Sequence, residues 1–331
     1  MNSDKLVSIC MITYNHEKYI AQAIEGILMQ NFEFQVELVI GEDNSKDNTR
    51  KICDDYAKKY PQIIRLLPTS VNLGMMPNFV RTLKECKGKY IALCEGDDYW
   101  SDPFKLQKQF DFLEANEDYG LVHTDLDQHD TVKYEWIRGL WKQYGYNKIS
   151  GDIYDSLMYS NPGNGMGIYL CTMFFRSKYV KENIEFEDVM AQKFMYGDVP
   201  LYLHIARHSK IGYIPESTAV RNVLSFSATQ GQSFEYMISF RRTALSIFEY
   251  FNNLRPVKLD LEKVYRKHKQ NELDVCFRYQ KGEKFITMYK VMSKKEKNYI
   301  TFIQRIGISN KYCHFISRAI LKVIKMLKIA Y

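Results

Sequence analysis

No G-x-G-x-x-G follows the first apolar run, and no G-x-x-x-x-G-K-[ST] occurs anywhere in the chain. A dinucleotide-binding Rossmann enzyme and a P-loop nucleotidase are both disfavoured. There is no G-x-S-x-G, so Ser-His-Asp chemistry has no nucleophile elbow. None of the seven cysteines forms a C-x-x-C pair, and they are scattered at positions 10, 53, 86, 94, 171, 276 and 313. That argues against a disulfide framework or a cysteine zinc site, and for a reducing compartment. No run of about 18 uncharged apolar residues exists, so no spanning helix is expected. The N-terminus lacks a basic stretch leading into a long apolar segment, so no signal peptide is expected. No repeat or low-complexity linker is found. These absences lead to the expectation of a cytoplasmic, globular protein, and 331 residues allow one or two domains.

What is present is unevenly charged. The net charge is +7, but from Gly231 onward there are 21 Lys and Arg against 8 Asp and Glu, a net of +13. Residues 1–230 therefore carry a net of −6. The chain is an acidic body with a basic tail.

Apolar runs and helical periodicities alternate through the body. Leu6–Ile12 reads as a buried strand, and a helix runs from the turn after it to about Gln30. A second strand covers Val36–Gly41, followed by a helix from near Asp47 to about Tyr60. Ile63–Leu67 is a short strand and Pro77–Cys86 a helix. Lys89–Trp100 begins as a strand and ends in an acidic turn. Phe104–Glu114 is helical and Gly120–Thr124 is a strand. This order predicts an α/β fold with a mostly parallel sheet and helices on both faces. Asp125–Ser160 reads as an irregular insertion, Tyr169–Phe175 as a strand, Val199–Arg207 as a helix and Lys210–Ile214 as a short strand. The predicted division is a catalytic domain over 1–230 and a basic, mostly helical region over 231–331.

Polar clusters follow the first, second and fourth strands, which places them on one sheet edge. That edge is where open α/β sheets bind ligands. The acidic turn holds Glu95, Asp97 and Asp98 within four positions. Such carboxylates repel one another, and a hard cation such as Mg²⁺ or Mn²⁺, shared with phosphate oxygens, would compensate them. The plainer alternative is a solvated turn that caps the helix opening at Asp102-Pro103.

Together these clusters resemble a family 2 inverting glycosyltransferase with the GT-A fold, a Rossmann-like nucleotide-sugar transferase. Ile12-Thr13-Tyr14-Asn15 resembles the family's first nucleotide-binding turn. Glu42-Asp43-Asn44-Ser45 resembles its D-D-x-S motif, in which Asp43 would contact the base. Glu95-Gly96-Asp97-Asp98 resembles the D-x-D region, with Asp97, Asp98 and Glu95 as metal candidates and Asp97 also beside the nucleotide. Leu170–Arg176 resembles the strand before the base motif, and Gly197-Asp198 the motif itself, with Asp198 as catalytic base. Two departures stand out. Glu95 replaces the first aspartate, and Val220-Arg221-Asn222-Val223 stands where many relatives have Tyr-Arg-x-His. Arg221 remains a candidate diphosphate contact.

The resemblance implies transfer from a nucleotide-sugar donor, with UDP expected, to a saccharide or lipid-linked saccharide acceptor in cell-surface polysaccharide synthesis. Mn²⁺ or Mg²⁺ is the expected cofactor, and no nucleic-acid role is expected. The rivals are a nucleotidyltransferase and a non-catalytic sugar- or membrane-binding scaffold. His204 and His208, four apart on one helix, could form a metal pair, but no H-E-x-x-H surrounds them and they read first as surface or packing. Asp125 and Asp127, after His123, could serve an acceptor site and read first as solvated loop acids. Trp136 and Trp141 could stack on a sugar or belong to the core. On a helical wheel for Lys311–Tyr331 the cations Lys311, Arg318, Lys322, Lys325 and Lys328 share one side. The pattern fits a helix that packs its apolar face on the body equally well, and the net +13 from Gly231 onward favours an interfacial helix that docks the protein on the anionic inner face of the plasma membrane.

Overall fold

A computed structural model of the chain describes residues 6–145, 150–160, 167–181, 183–225 and 231–260, with Ser227 and separate residues between 262 and 279. The amphipathic helix expected over 311–331, and the membrane contact assigned to it, lie outside these residues. The chain divides into two compact units, Met1–Met158 with Met166–Ser225, and Tyr159–Gly165 with Phe226–Tyr331.

The first unit is built on a sheet of nine strands among the described residues. Its elements in chain order begin with β1 (Leu6–Thr13), α1 (Ile20–Leu28), β2 (Gln35–Glu42), α2 (Thr49–Lys59), β3 (Ile64–Leu66), α3 (Met75–Glu85) and β4 (Tyr90–Leu93). They continue with β5 (Tyr99–Trp100), α4 (Lys105–Ala115), β6 (Tyr119–Asp130), β7 (Glu135–Ile137), α5 (Leu140–Gln143) and α6 (Tyr154–Ser160). A 3₁₀ turn at Leu170–Thr172 leads to β8 (Phe174–Arg176), α7 (Lys178–Lys181), α8 (Ile184–Ala191), α9 (Asp198–His208) and β9 (Lys210–Val223).

Strands β3, β2, β1 and β4 lie side by side and parallel, as the βα alternation dictates. Strand period decides which residues meet which helix. Val7, Ile9 and Met11 join Leu38, Ile40, Tyr90 and Ala92 in one core. Helix α1 seals that core with Ile20, Ala23, Ile24 and Ile27, spaced for one helix face. Each of these isoleucines, fully buried, is worth about 1.5–3 kcal/mol. Helix α3 packs on β1 and β2 through a buried face that includes Phe79 and Leu83.

Beyond β4 the sheet departs from the expected pattern. Tyr169–Phe175 is mostly a 3₁₀ turn, and β8 runs antiparallel between β4 and β6. The strand expected over Gly120–Thr124 continues to Asp130 and forms a hairpin with β7. The short strand expected at Lys210–Ile214 runs for 14 residues, parallel to β6 and broken by bulges. The acidic turn ends in β5, antiparallel to β9, with Tyr99 opposite Val220.

One physical reason accounts for the missed half of β6. Asp125 and Asp127 made it read as a loop, but both are buried. Asp125 accepts the Trp141 N–H at 2.9 Å, and Asp127 accepts the Gly139 N–H and the Ser217 hydroxyl and pairs with Arg138. Their charges hold the turn into α5 instead of facing water. Trp141 belongs to the core, while Trp136 is 40 % exposed and stacks on His129.

In the second unit, α10 (Phe234–Asn253) turns Met237, Ala244, Ile247, Phe248 and Phe251 inward. Ser233 caps it by accepting the Tyr236 N–H at 3.1 Å.

Lys105 opens α4 fully buried, with its ammonium donating to Gln109 and lying 4.8 Å from the Trp100 ring centre. Burial pushes its pKa down to about 7, against weaker support for the charge from Cys171, Cys94 and Asp102. The unfolded chain holds that proton to about pH 10.4. Between those values the unfolded state binds more protons, so this residue makes stability rise with pH. Lys105→Met is expected to flatten the rise in urea midpoint between pH 7 and pH 9. An equally steep rise in the variant would assign the titration to another group.

Candidate active site

The carboxyl ends of β1, β2 and β4 meet in three interlocked turns. The first two are tied by backbone donors. Asn15 N–H donates to Ser45 Oγ at 2.9 Å, and Asn15 Oδ1 accepts the Lys46 N–H at 2.9 Å. The His16 N–H donates to Thr49 Oγ1 at 2.8 Å, and Glu17 bridges to Asn48. Asn15 and Asn44 both adopt left-handed backbone, with φ of 56° and 58°. Asparagine is the side-chain-bearing residue that tolerates this best.

The two acids of the second turn do structural work. Glu42 is fully buried and accepts the Asn44 and Ser45 N–H groups at 3.2 and 2.6 Å. Asp43 is also buried, and its two oxygens accept the Leu73 and Gly74 N–H groups at 2.8 and 2.9 Å. Its carbonyl takes the Asn72 amide at 2.9 Å. Asp43 therefore anchors the segment that leads into α3.

The third turn carries Glu95, Asp97 and Asp98. Gly96 lets it approach the first: a Cβ there would lie 2.4 Å from Thr13 Oγ1. The Gly96 N–H instead donates to the Ile12 carbonyl at 3.0 Å. Strand β9 clamps the other side. The Asn222 N–H donates to Asp98 Oδ1 at 2.9 Å, and the Asn222 amide donates to the Asp97 carbonyl at 2.6 Å. Asp98 is buried, whereas the Asp97 side chain keeps 20 % of its exposure, with Oδ2 4.0 Å from His16 Nε2. His16 Nδ1 meets Thr13 Oγ1 at 3.1 Å. Tyr14 is half-buried on the same turn.

Two groups complete the cluster. Arg221 lies over the Tyr169 ring at 5.1 Å and donates to Gln128 Oε1 at 3.1 Å. Asp198 opens α9, with Oδ1 accepting the Val199 N–H at 2.8 Å. The helix start is seated by close packing, because a Cβ on Gly197 would come within 2.9 Å of the Phe79 ring.

The electrostatics bind these residues together. Burial pushes the Glu95 carboxyl well up, and the charges of Asp97, Asp98 and Asp198 add to the rise. Burial and Asp97 push Asp98 up to about 7, while Arg221 and the Asn222 N–H oppose them. Burial also raises Asp198, against the Val199 N–H, its own N–H and Arg221. Burial works against the Arg221 charge, but Tyr169, Asp98, Cys171 and Glu95 hold its pKa above the usual value. The site is thus a set of carboxylates short of positive charge. Glu95 and Asp97, which are not fully enclosed, are the residues of the turn that could hold a hard divalent cation.

The model of glycosyl transferase family 2 matches residues 8–183. The chain belongs to that family. A putative glycosyltransferase of Bacillus subtilis, EpsE, is 37 % identical over 126 residues, covering 38 % of this chain and 45 % of that protein. A dTDP-rhamnosyl transferase of Shigella flexneri, RfbG, is 35 % identical over 111 residues, covering 32 % and 37 %. An uncharacterised protein of Mycobacterium tuberculosis is 46 % identical over 110 residues, 33 % of this chain and 32 % of that one. The chain thus matches less than half the length of these curated relatives. Among solved structures, S. aureus TarS in complex with UDP has a TM-score of 0.55 at 14 % identity, covering 95 % of this chain and 87 % of that one. The Pyrobaculum calidifontis mannosyltransferase PcManGT, with GDP-Man and Mn²⁺, has a TM-score of 0.54 at 12 % identity, covering 98 % and 88 %. These likenesses bear on the fold, a GT-A-like α/β arrangement.

Thr13, Tyr14, Asn15, Asp43, Glu95, Asp97, Asp98, Asp198 and Arg221 all lie along or beside this one edge. His16, Tyr169 and Asn222 were not singled out from the sequence. Asn222 stood inside the segment compared with Tyr-Arg-x-His, but its bonds to Asp97 and Asp98 depend on the β5–β9 pairing.

Asp43→Asn replaces one acceptor oxygen with a donor that faces a backbone N–H. Loss of that charged bond is expected to cost about 1.5–3 kcal/mol. Amide exchange at Leu73 and Gly74 should rise in the nucleotide-free protein. Unchanged exchange there would show that the anchor is dispensable.

Proposed function

We propose that the chain is an inverting glycosyltransferase that moves a sugar from a nucleoside diphosphate donor, with UDP the first candidate, to an acceptor hydroxyl. The observation that carries this reading is the meeting of Asp198 with the carboxylates of the third turn and Arg221 at one sheet edge. Family membership supplies the reaction class. The names of similar proteins mention dTDP-, UDP- and GDP-linked chemistry, which supports a nucleotide-sugar donor in general.

In this mechanism Asp198 accepts the proton of the acceptor hydroxyl. The hydroxyl oxygen bonds to the anomeric carbon as the bond to the nucleoside diphosphate breaks, which inverts the configuration. A carboxylate raised by burial is a better base than an ordinary one, and such a base contributes roughly 10²–10⁴ in rate. Arg221, over the Tyr169 ring, is assigned to the diphosphate, and His16, beside Asp97, stands where that group would lie. Thr13, Tyr14 and Asn15 form the floor for the nucleoside, and Asp43 sets the loop beside it. Asp97 and Glu95 are assigned to the cation. Asp98, engaged by Asn222 and by the Cys171 thiol, is assigned to holding the turn. A bound Mn²⁺ or Mg²⁺ would neutralise charge on the departing diphosphate. A lipid-linked acceptor in surface-polysaccharide synthesis, reached from an anionic membrane by the basic tail, completes the proposal.

Transfer and hydrolysis with labelled UDP-, GDP- and dTDP-sugars, with and without Mn²⁺, test it. Asp198→Asn is expected to keep donor binding and lower turnover by about 10²–10⁴. The acid limb of its pH profile should also vanish, since activity falls as this base gains its proton. Near-full turnover in that variant would reduce Asp198 to a helix start. Asp97→Asn is expected to abolish the Mn²⁺ dependence of donor binding, and unchanged dependence would move the cation elsewhere.

A further inference from the structure

A second constellation lies on α8 and α9, away from the acidic turn. Glu185, His204 and His208 bring their possible ligand atoms within 4.8 Å of one another. His204 and His208 are one turn apart and share a helix face, with ring centres 5.0 Å apart. His208 Nε2 lies 3.1 Å from Glu185 Oε2. Arg207 holds the same oxygen at 2.5 Å, which fixes the carboxylate against α9.

His204 is the decisive member. It is 1 % exposed, and its Nε2 meets the Tyr179 carbonyl at 2.9 Å. A carbonyl can only accept, so Nε2 carries the proton and Nδ1 carries the lone pair. A carbonyl behind one ring nitrogen is the arrangement that orients a histidine whose other nitrogen binds a metal.

We propose that Glu185, His204 and His208 form a zinc site of two imidazoles and one carboxylate that staples α8 to α9. Imidazole and carboxylate ligands in this ratio suit Zn²⁺, with a fourth position left for water. Zinc–ligand bonds of about 2.0–2.2 Å need ligand atoms roughly 3.3–3.5 Å apart. The required contraction falls on Glu185 and His208, both of which are on the surface. Arg207 can keep one carboxylate oxygen while the other binds the ion. At about 1.5 Å per residue, the His208 end of α9 lies roughly 15 Å from Asp198. The ion would therefore brace the helix that presents Asp198 without touching the donor.

The test uses the full chain, untagged and stripped with a chelator. Zn²⁺ titration by calorimetry should show a site that persists in Asp97→Asn, and Co²⁺ should give the intense visible band of a tetrahedral centre. Melting temperature should rise with Zn²⁺. His208→Ala and Glu185→Gln should each weaken binding by about 10–100-fold and remove the thermal gain. Both sit on the surface, so folding is checked in the metal-free state. Asp97→Asn should bind Zn²⁺ at this site unchanged, which separates it from the carboxylate edge. Binding that survives His208→Ala, or is lost in Asp97→Asn, would overturn the site, as would no Zn²⁺ binding in the wild-type chain. If donor transfer failed altogether, these outcomes would still stand.

Discussion

Carboxylates crowded at the end of β4 repel one another, and most of the surrounding structure answers that repulsion. Asn222 on β9 supplies an N–H to Asp98 and an amide to the Asp97 carbonyl. Arg221, one residue earlier, supplies the charge that opposes the raised acids. Neither would be in place without the pairing of β5 with β9, which returns the chain beside the turn it has just left. Compensation is partial, since Asp98 still rises to about 7. The turn therefore remains short of positive charge.

The neighbouring turns solve a different problem. Glu42 and Asp43 would be costly to bury alone, yet both are almost wholly enclosed. Backbone N–H groups of residues 44, 45, 73 and 74 satisfy them. The acids thereby shape the loops. The same economy governs Asp125 and Asp127, which close the turn into α5. Glu42, Asp43, Asp125 and Asp127 thus build turns instead of facing solvent.

Family membership and geometry contribute different things. The family match defines a class of chemistry, and the distant solved structures agree with the architecture. Neither distinguishes one carboxylate of the acidic turn from another. That distinction comes from burial: Asp97 keeps a face to solvent, and Asp98 is engaged from behind.

The order of elements through β4 was determined by the sequence alone, because strand and helix periods are local and the polar turns follow apolar runs directly. For the same reason the sequence located the acidic turn, Asp43 and Asp198 at element ends. The antiparallel β8, the two-residue β5 and the full length of β6 and β9 were decided only by tertiary structure. Each depends on partners far along the chain, and β6 carries buried acids that look like loop residues until their donors are known. The roles of His16 and Asn222 were hidden for the same reason. So was the pairing of Glu185 with His204 and His208: the spacing of the two histidines is readable, but the carboxylate comes from another helix. Local pattern fixes what a residue can do, and only long-range packing decides what it meets.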